Sequence, residues 1–288
     1  MNSRLEAALT AKLGASIRRS RSVGGGCIND AYRIELDDDR VLFVKSHDSA
    51  PARMYELEAH GLGVLREADA LRIPEVVAVS APTADVDFLV LEHIEAGRPS
   101  RSYDEELGRG LARLHRAHAS CFGLDRNNYL ATLEQDNESE ESWATFYCER
   151  RLRPQLELAT ARGLARHNWQ DDFEQLFAKM PELVGDPEPP ARLHGDLWSG
   201  NVYCDEAGQP VLIDPAVYGG HREVDLAMLQ LFGSPSQRVF DAYDECYERT
   251  PGHRQRVALY QLYPLLAHVN LFGTSYQGQV ESCLQRYL

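Results

Sequence analysis

The string HGDLWSGN, from His194 to Asn201, carries the strongest chemical signal in this chain. It places Asp196 and Asn201 five residues apart in a segment that is too glycine-rich for a helix. Asp214 follows 13 residues after Asn201, at the end of the apolar strand VLI. The oxygens of Asn201 and Asp214 are therefore expected at the ends of one hairpin, facing the same place. A hard cation such as Mg²⁺ prefers such oxygen ligands together with substrate phosphates.

Taken singly, these polar residues could form a turn with a capping acid, but their joint spacing favours phosphoryl transfer. In that chemistry, Asp196 is the base that orients or deprotonates the nucleophile, and Asn201 and Asp214 hold the metal. A lysine on a strand contacts the phosphates of ATP, and an acid on the following helix holds that lysine.

Lys45 is the candidate for the strand lysine. Only three of the 30 basic residues are lysines, and Lys45 follows the apolar run Val41–Val44. A surface lysine that protects an edge strand is the alternative, but the apolar context favours chemistry. Glu58, in the next predicted helix, is its expected partner, with Glu56 as the alternative.

Nucleotide contacts are predicted at two further places. Gly24, Gly25, Gly26, Cys27 and Ile28 fall between the first two strands, where a hairpin can cover phosphates with its backbone N–H groups. By itself the glycine run would indicate only a tight turn or a bulge. Backbone groups near Glu92, His93 and Ile94, between the two predicted lobes, are expected to contact adenine.

The order of predicted elements indicates an α+β protein with two lobes. A helix over residues 3–14 precedes a β-β-β-α-β-β pattern over residues 16–94, which is typical of an antiparallel sheet with one helix. The helix of that pattern is predicted to open at Pro51. We expect an ATP-binding lobe over residues 1–94, a linker at about 94–99, and a mainly helical catalytic lobe over residues 95–288.

At this point the sequence resembles the fructosamine kinase (ketosamine 3-kinase) family, which has a protein-kinase-like fold shared with the aminoglycoside and choline kinases. The resemblance is carried by HGDLWSGN and IDPAVYGGHREVDLAML. It extends, in family order, to GGGCINDAYRI, FVKS, MYELEAHGL, LVLEHI, NNYLATLEQDN and SWATFYCERRL. The paired HGDxxxxN and IDP strings occur widely among small-molecule kinases, whereas the Trp-Ser-Gly insert and the GGHREVDLAML segment narrow the resemblance to this family.

The resemblance implies ATP-dependent phosphorylation of the 3-hydroxyl of a ketosamine, free or on a glycated protein, as a repair reaction that frees the amine. Two alternatives stay open. The acceptor could be another amine-bearing molecule of the aminoglycoside, choline or homoserine type, or the chain could be a nucleotide-binding pseudokinase.

Composition excludes several other classes. The net charge of −14 argues against a nucleic-acid partner. No apolar run suits a membrane span or a signal peptide. The six cysteines show no paired spacing, which favours a reducing cytoplasm.

Four further residues near the predicted site have expected roles. Trp198 either belongs to the core or stacks on a sugar face. Asp225 either caps a helix or supports the catalytic loop by hydrogen bonds, and His194 is expected to orient that loop. Cys27 beside bound phosphate suggests a redox switch, in which oxidation or pairing with a second chain alters ATP access. The expected state is therefore a monomer or a redox-sensitive homodimer.

Overall fold

The structure is a computed structural model that describes residues 1–24, 30–47, 50–81, 86–233 and 235–288. Helix α1 (Ser3–Leu13) precedes a five-stranded sheet in the N-terminal lobe. The strands are β1 (Ile17–Ser22), β2 (Asp30–Leu36), β3 (Val41–Ser46), β4 (Val76–Val79) and β5 (Phe88–Glu92). They lie in the order β1-β2-β3-β5-β4, and each neighbouring pair is antiparallel. The helix α2 (Met54–Arg66) connects β3 to β4, which confirms the predicted order of elements.

The predicted start of α2 is wrong by three residues. Pro51 begins a turn, closed by a hydrogen bond from the Met54 N–H to the Pro51 carbonyl oxygen at 3.1 Å. Arg53 has a φ of 62°, which lies in the left-handed region and cannot belong to a right-handed helix. The helix therefore begins at Met54.

The two faces of β3 explain how the sheet contributes to a site. Successive side chains of a strand point to opposite faces. Leu42 and Val44 are buried in the apolar cluster that α1 forms with the sheet. Phe43 and Lys45 project to the other face, where they line a cavity between the lobes.

The C-terminal lobe is mainly helical, as predicted. Its helices are α3 (Tyr103–Arg116), α4 (Trp143–Phe146), α5 (Arg153–Ala161), α6 (Trp169–Leu183), α7 (Glu223–Leu229), α8 (Gln237–Cys246), α9 (His253–Phe272) and α10 (Gln277–Leu284). A π-helical segment over Tyr147–Leu152 joins α4 to α5. Trp143 and Phe146 are buried in the core of this lobe.

Among the described residues, three short antiparallel strand pairs complete this lobe. They are β6 (Asn128–Leu130) with β7 (Leu133–Gln135), β8 (Ala191–Leu193) with β11 (Tyr218–Gly220), and β9 (Val202–Cys204) with β10 (Pro210–Leu212). Residues 93–102, between β5 and α3, contain no helix or strand. The predicted linker at about 94–99 falls in this segment, and the domain division itself stays a prediction.

No helix in the described part of the chain is both long and apolar enough to cross a membrane. The longest, α9, is buried along most of its length in the core of the helical lobe.

A buried ionic network lies where α7 meets α9. Arg222 binds Glu188 at 2.8 Å, and Arg256 binds Glu223 at 2.6 Å. His221 is buried beside these pairs, with its Nε2 3.6 Å from Glu188 and its ring stacked on Tyr260. Burial lowers the pKa of His221 to about 4.

This shift predicts a pH dependence of stability. The unfolded chain protonates His221 near pH 6.5, whereas the folded chain resists protonation until about pH 4. Above pH 6.5, His221 is neutral in both states and its pKa shift costs no stability. As the pH falls toward 4, only the unfolded chain takes up the proton, and about 2 to 3 kcal/mol of unfolding free energy is lost. Urea unfolding at a series of pH values measures this loss. His221→Asn should flatten the profile between pH 6.5 and 4, whereas replacing the exposed His167 by asparagine should not. Equal profiles for wild type and His221→Asn would contradict the assignment.

Candidate active site

A cavity of about 900 Å³ lies between the two lobes. Every predicted site residue that the structure describes lines it: Gly24, Lys45, Glu58, Glu92, His93, Ile94, Asp196, Trp198, Asn201 and Asp214. The other predicted positions, Gly25, Gly26, Cys27 and Ile28, lie outside the described residues.

Lys45 joins the two lobes inside this cavity. Its Nζ lies 2.7 Å from Oε1 of Glu58 on α2 and 3.1 Å from Oδ1 of Asp214 after β10. Burial acts to lower the pKa of Lys45, but the charges of Asp214 and Glu58 outweigh it and raise that pKa above its ordinary value. The lysine is therefore a buried cation between two carboxylates. Glu56, the alternative partner, does not contact Lys45. It forms an ion pair with Arg53 instead, with an N–O distance of 2.7 Å.

Asp225 supports the loop that carries Asp196 through hydrogen bonds. The fully buried Asp225 accepts hydrogen bonds from the backbone N–H groups of His194 at 2.7 Å and Gly195 at 2.9 Å. Its role is support of the loop, one of the two roles expected. His194 is also fully buried, and its Nε2 lies 2.9 Å from the Ile213 carbonyl oxygen, which fixes the loop against the segment that carries Asp214.

Gly195 is required at the tight point of this loop. Its φ is +82°, and a Cβ there would lie 2.0 Å from the carbonyl oxygen of Ala216. Any side chain would therefore push the loop away from the strand that follows Asp214. The glycine of HGD therefore allows this loop to pack closely against the backbone at Ala216.

Asp196 combines burial with a neighbouring amide. Asn201 Nδ2 donates to Oδ2 of Asp196 at 3.1 Å and to its carbonyl oxygen at 2.8 Å. Burial, followed by the nearby charge of Asp214, raises the pKa of Asp196 to about 7. A carboxylate with this pKa can accept a proton near neutral pH.

Asn201 and Asp214 offer oxygen donors that fit Mg²⁺. Because Asn201 donates through Nδ2 to Asp196 and, at 3.4 Å, to the Asp214 carbonyl oxygen, its Oδ1 is left without a hydrogen-bond donor among the described residues. Asp214 has a φ of 55°, an uncommon backbone conformation that is often found at functional sites. No group of three His, Cys, Asp or Glu side chains in the described ranges could hold a metal. Two protein ligands suit Mg²⁺, which keeps waters and substrate phosphates as its other ligands.

At the end of the cavity where the nucleotide is predicted to bind, the side chain of Glu92 already has partners. The Glu92 carboxylate is occupied by Arg72 at 3.2 Å and by the Glu75 N–H at 3.0 Å. Contact of adenine with the backbone near Glu92, His93 and Ile94 stays a prediction, and Gly24 also lines the cavity.

Trp198 does not belong to the core. It is 37% exposed, and its ring makes an edge contact with Phe232, with centroids 6.5 Å apart. Several other lining residues were not predicted from the sequence. The missed lining residues include Asn128, Tyr129, Leu130 and Ala131 around β6, and Phe232, His268, Phe272 and Tyr276 in the helical lobe. His268, Phe272 and Tyr276 follow one another at intervals of four residues along α9 and the segment after it, but their approach to Phe232, which follows α7, depends on packing between distant parts of the chain.

The fold and the site together define a two-lobed phosphotransferase with a kinase-like architecture. A crystal structure of a thermostable mutant of the aminoglycoside phosphotransferase APH(4)-Ia has the same fold, with a TM-score of 0.65 at 15% identity over 97% of this chain and 98% of its own.

Comparison of sequences narrows this class to one family. A family model described as fructosamine kinase matches residues 1–288, so the chain belongs to the fructosamine kinase family. A Synechocystis protein named "Probable ketoamine kinase" is 39% identical over 94% of this chain and 91% of its own length. Mouse ketosamine-3-kinase is 33% identical over 95% of this chain and 96% of its own. A crystal structure from Thermobifida fusca, named provisionally as a fructosamine-3-kinase, matches with a TM-score of 0.87 at 38% identity, covering 100% and 99% of the two chains.

Proposed function

We propose that this protein transfers the γ-phosphoryl group of ATP to the 3-hydroxyl of a ketosamine. The observation that carries the proposal is the convergence of Lys45, Glu58, Asp196, Asn201 and Asp214 on one cavity. Family membership supports the acceptor, because the mouse relative is named a ketosamine-3-kinase.

Each residue has a distinct task in this reaction. Lys45, fixed by Glu58, contacts the phosphates of ATP. The carboxylate of Asp196 orients the C3 hydroxyl and accepts its proton as that oxygen bonds to the γ-phosphorus. The bond from the γ-phosphorus to the β–γ bridging oxygen breaks, and ADP leaves. Asn201 and Asp214 would hold Mg²⁺, which when bound neutralises charge on the phosphate oxygens.

Because the transition state of phosphoryl transfer is loose, positioning contributes most of the catalysis. The hydrogen bonds from the loop amides to Asp225 and the Asn201–Asp196 contact supply that positioning before substrate arrives.

Other parts of the hypothesis stay predictions. They are the cytoplasmic location, the use of free or protein-bound ketosamines, the monomer or redox-sensitive homodimer, and the redox role of Cys27, which lies outside the described residues.

Turnover on matched acceptors tests the proposal. We expect the methylamine adducts of ribulose and fructose to yield one ADP and one 3-phosphate each, measured by coupled ADP detection and ³¹P NMR. Choline, homoserine and kanamycin serve as alternative acceptors, and preferential turnover of any of them would replace the ketosamine assignment. ATP binding without turnover on any acceptor would favour a pseudokinase.

A further inference from the structure

Beyond Asp196, the cavity continues along a group of five rings, here called the aromatic cluster. Its members are Trp198, Phe232, His268, Phe272 and Tyr276. The His268 ring lies at the centre, with centroid distances of 4.5 Å to Phe232, 5.0 Å to Tyr276 and 5.4 Å to Phe272. Contact between Trp198 and Phe232 connects the cluster to the catalytic loop, as does a hydrogen bond from Ser199 Oγ to the Phe232 carbonyl oxygen at 3.0 Å.

Two rings of this cluster are unusually exposed. Phe272 is 48% exposed and Trp198 is 37% exposed, although both line a concave surface. Most large aromatic side chains of the helical lobe are buried in its core. Exposed apolar rings that converge in a pocket are typical of a ligand site.

The charge of the lining changes along the cavity. The carboxylates and the ammonium group among its described lining residues belong to Lys45, Glu58, Glu92, Asp196 and Asp214, at the nucleotide and phosphoryl end. The cluster contains no carboxylate, lysine or arginine, and burial lowers the pKa of His268 despite the hydrogen bond from its Nδ1 to the Pro264 carbonyl oxygen at 2.7 Å, so its uncharged form is favoured. A carboxylate bound at the cluster would lose hydration without gaining a cationic partner among the lining residues that the structure describes.

The order of these parts matches the order of groups in a ketosamine. In a ketosamine, the amine nitrogen on C1 is two carbons from C3, whose hydroxyl must reach Asp196. Trp198 follows Asp196 by two residues and opens onto the cluster. Aromatic faces attract a protonated amine and bury an attached apolar group.

We propose that the aromatic cluster binds the amine-derived part of the acceptor, and that the preferred acceptors are ketosamines of small apolar or aromatic amines without a carboxylate. This inference rests on the proposed function and names its substrate class. The aromatic ring of such an amine would lie against Phe272 and Tyr276.

A series of three ribulosamines tests this preference. The adduct of phenethylamine carries a ring, that of methylamine lacks it, and that of phenylalanine adds only a carboxylate. We expect kcat/KM for the phenethylamine adduct to exceed that of each of the others by roughly ten- to a hundredfold, mainly through KM. Equal kcat/KM for all three, or a higher value for the same sugar on the lysine Nε of a peptide, would overturn the inference. If all adducts turn over equally the ketosamine assignment still stands, whereas failure of every adduct would contradict the proposed function itself.

Substitutions in the aromatic cluster test whether it causes the preference for the phenethylamine adduct. Phe272→Ala and Tyr276→Ala should each lower the ratio of kcat/KM between the phenethylamine and methylamine adducts by about tenfold or more. Val77→Ala removes an exposed apolar side chain on β4, outside the cavity, and should leave this ratio unchanged. If neither Phe272→Ala nor Tyr276→Ala changes this ratio, the amine-derived group binds elsewhere and the inference is wrong.

Discussion

Replacing Asp196 by asparagine is expected to lower kcat by about a hundredfold to ten-thousandfold, the range associated with the loss of a positioned base. Asparagine keeps the shape of the side chain and an oxygen for the Asn201 amide, but it cannot accept the hydroxyl proton. ATP binding should change little, because Lys45, Glu58 and Asp214 are unaltered. Steady-state kinetics with a methylamine ketosamine and calorimetric titration with ATP measure the two effects.

Two further variants make this result specific. Asp196→Ala should show a similar loss, which would exclude an effect of the introduced amide. Asp37→Asn changes an exposed aspartate in the turn between β2 and β3 and should leave kcat unchanged. If Asp196→Asn folds normally and keeps kcat within tenfold of wild type, the assignment of the base is wrong.

The parts of the site that sequence could predict are those whose chemistry fixes both residue type and spacing. Asp196, Asn201 and Asp214 lie on two short connected segments, so their distance along the chain limits their distance in space. Lys45 was recognisable from its apolar strand, and the structure selects Glu58 over Glu56 as its partner because only Glu58 projects into the cavity.

The parts that sequence could not supply depend on packing between distant segments. His268 meets Phe232 only because α9 packs against α7, and nothing in either segment alone indicates that contact. Likewise, the start of α2 depends on the left-handed Arg53, a backbone state that a proline-led helical pattern does not reveal. The raised pKa of Lys45 also depends on tertiary structure, because β3, α2 and the segment after β10 together bring the carboxylates of Glu58 and Asp214 to the ammonium group.

Asp225 shows how loop support can be separated from catalysis. Its carboxylate has no exposure and accepts two loop N–H groups, while His115 Nε2 on α3 lies 3.2 Å away. Asp225→Asn replaces one accepting oxygen by an N–H₂ group that faces another donor. We expect a loss of about 3 kcal/mol in unfolding free energy, measured by urea unfolding. We also expect kcat to fall by about a hundredfold, because the amides that fix the position of Asp196 are released.

His115→Asn provides the matched comparison, since it removes the neighbour of Asp225 while both amide bonds to the loop persist. It should reduce stability, through loss of its contacts with Asp225 and the Tyr243 hydroxyl, with little change in kcat. Asp241→Asn, on the exposed face of α8, should change neither quantity. If Asp225→Asn lowered stability but not kcat, Asp225 would contribute only to folding, and the position of Asp196 would depend on Asn201 and Gly195 instead. We expect Asp225→Asn to lower both the unfolding free energy and kcat, and His115→Asn to lower only the unfolding free energy. That difference would identify the two loop amides as the contacts through which the buried carboxylate of Asp225 positions Asp196.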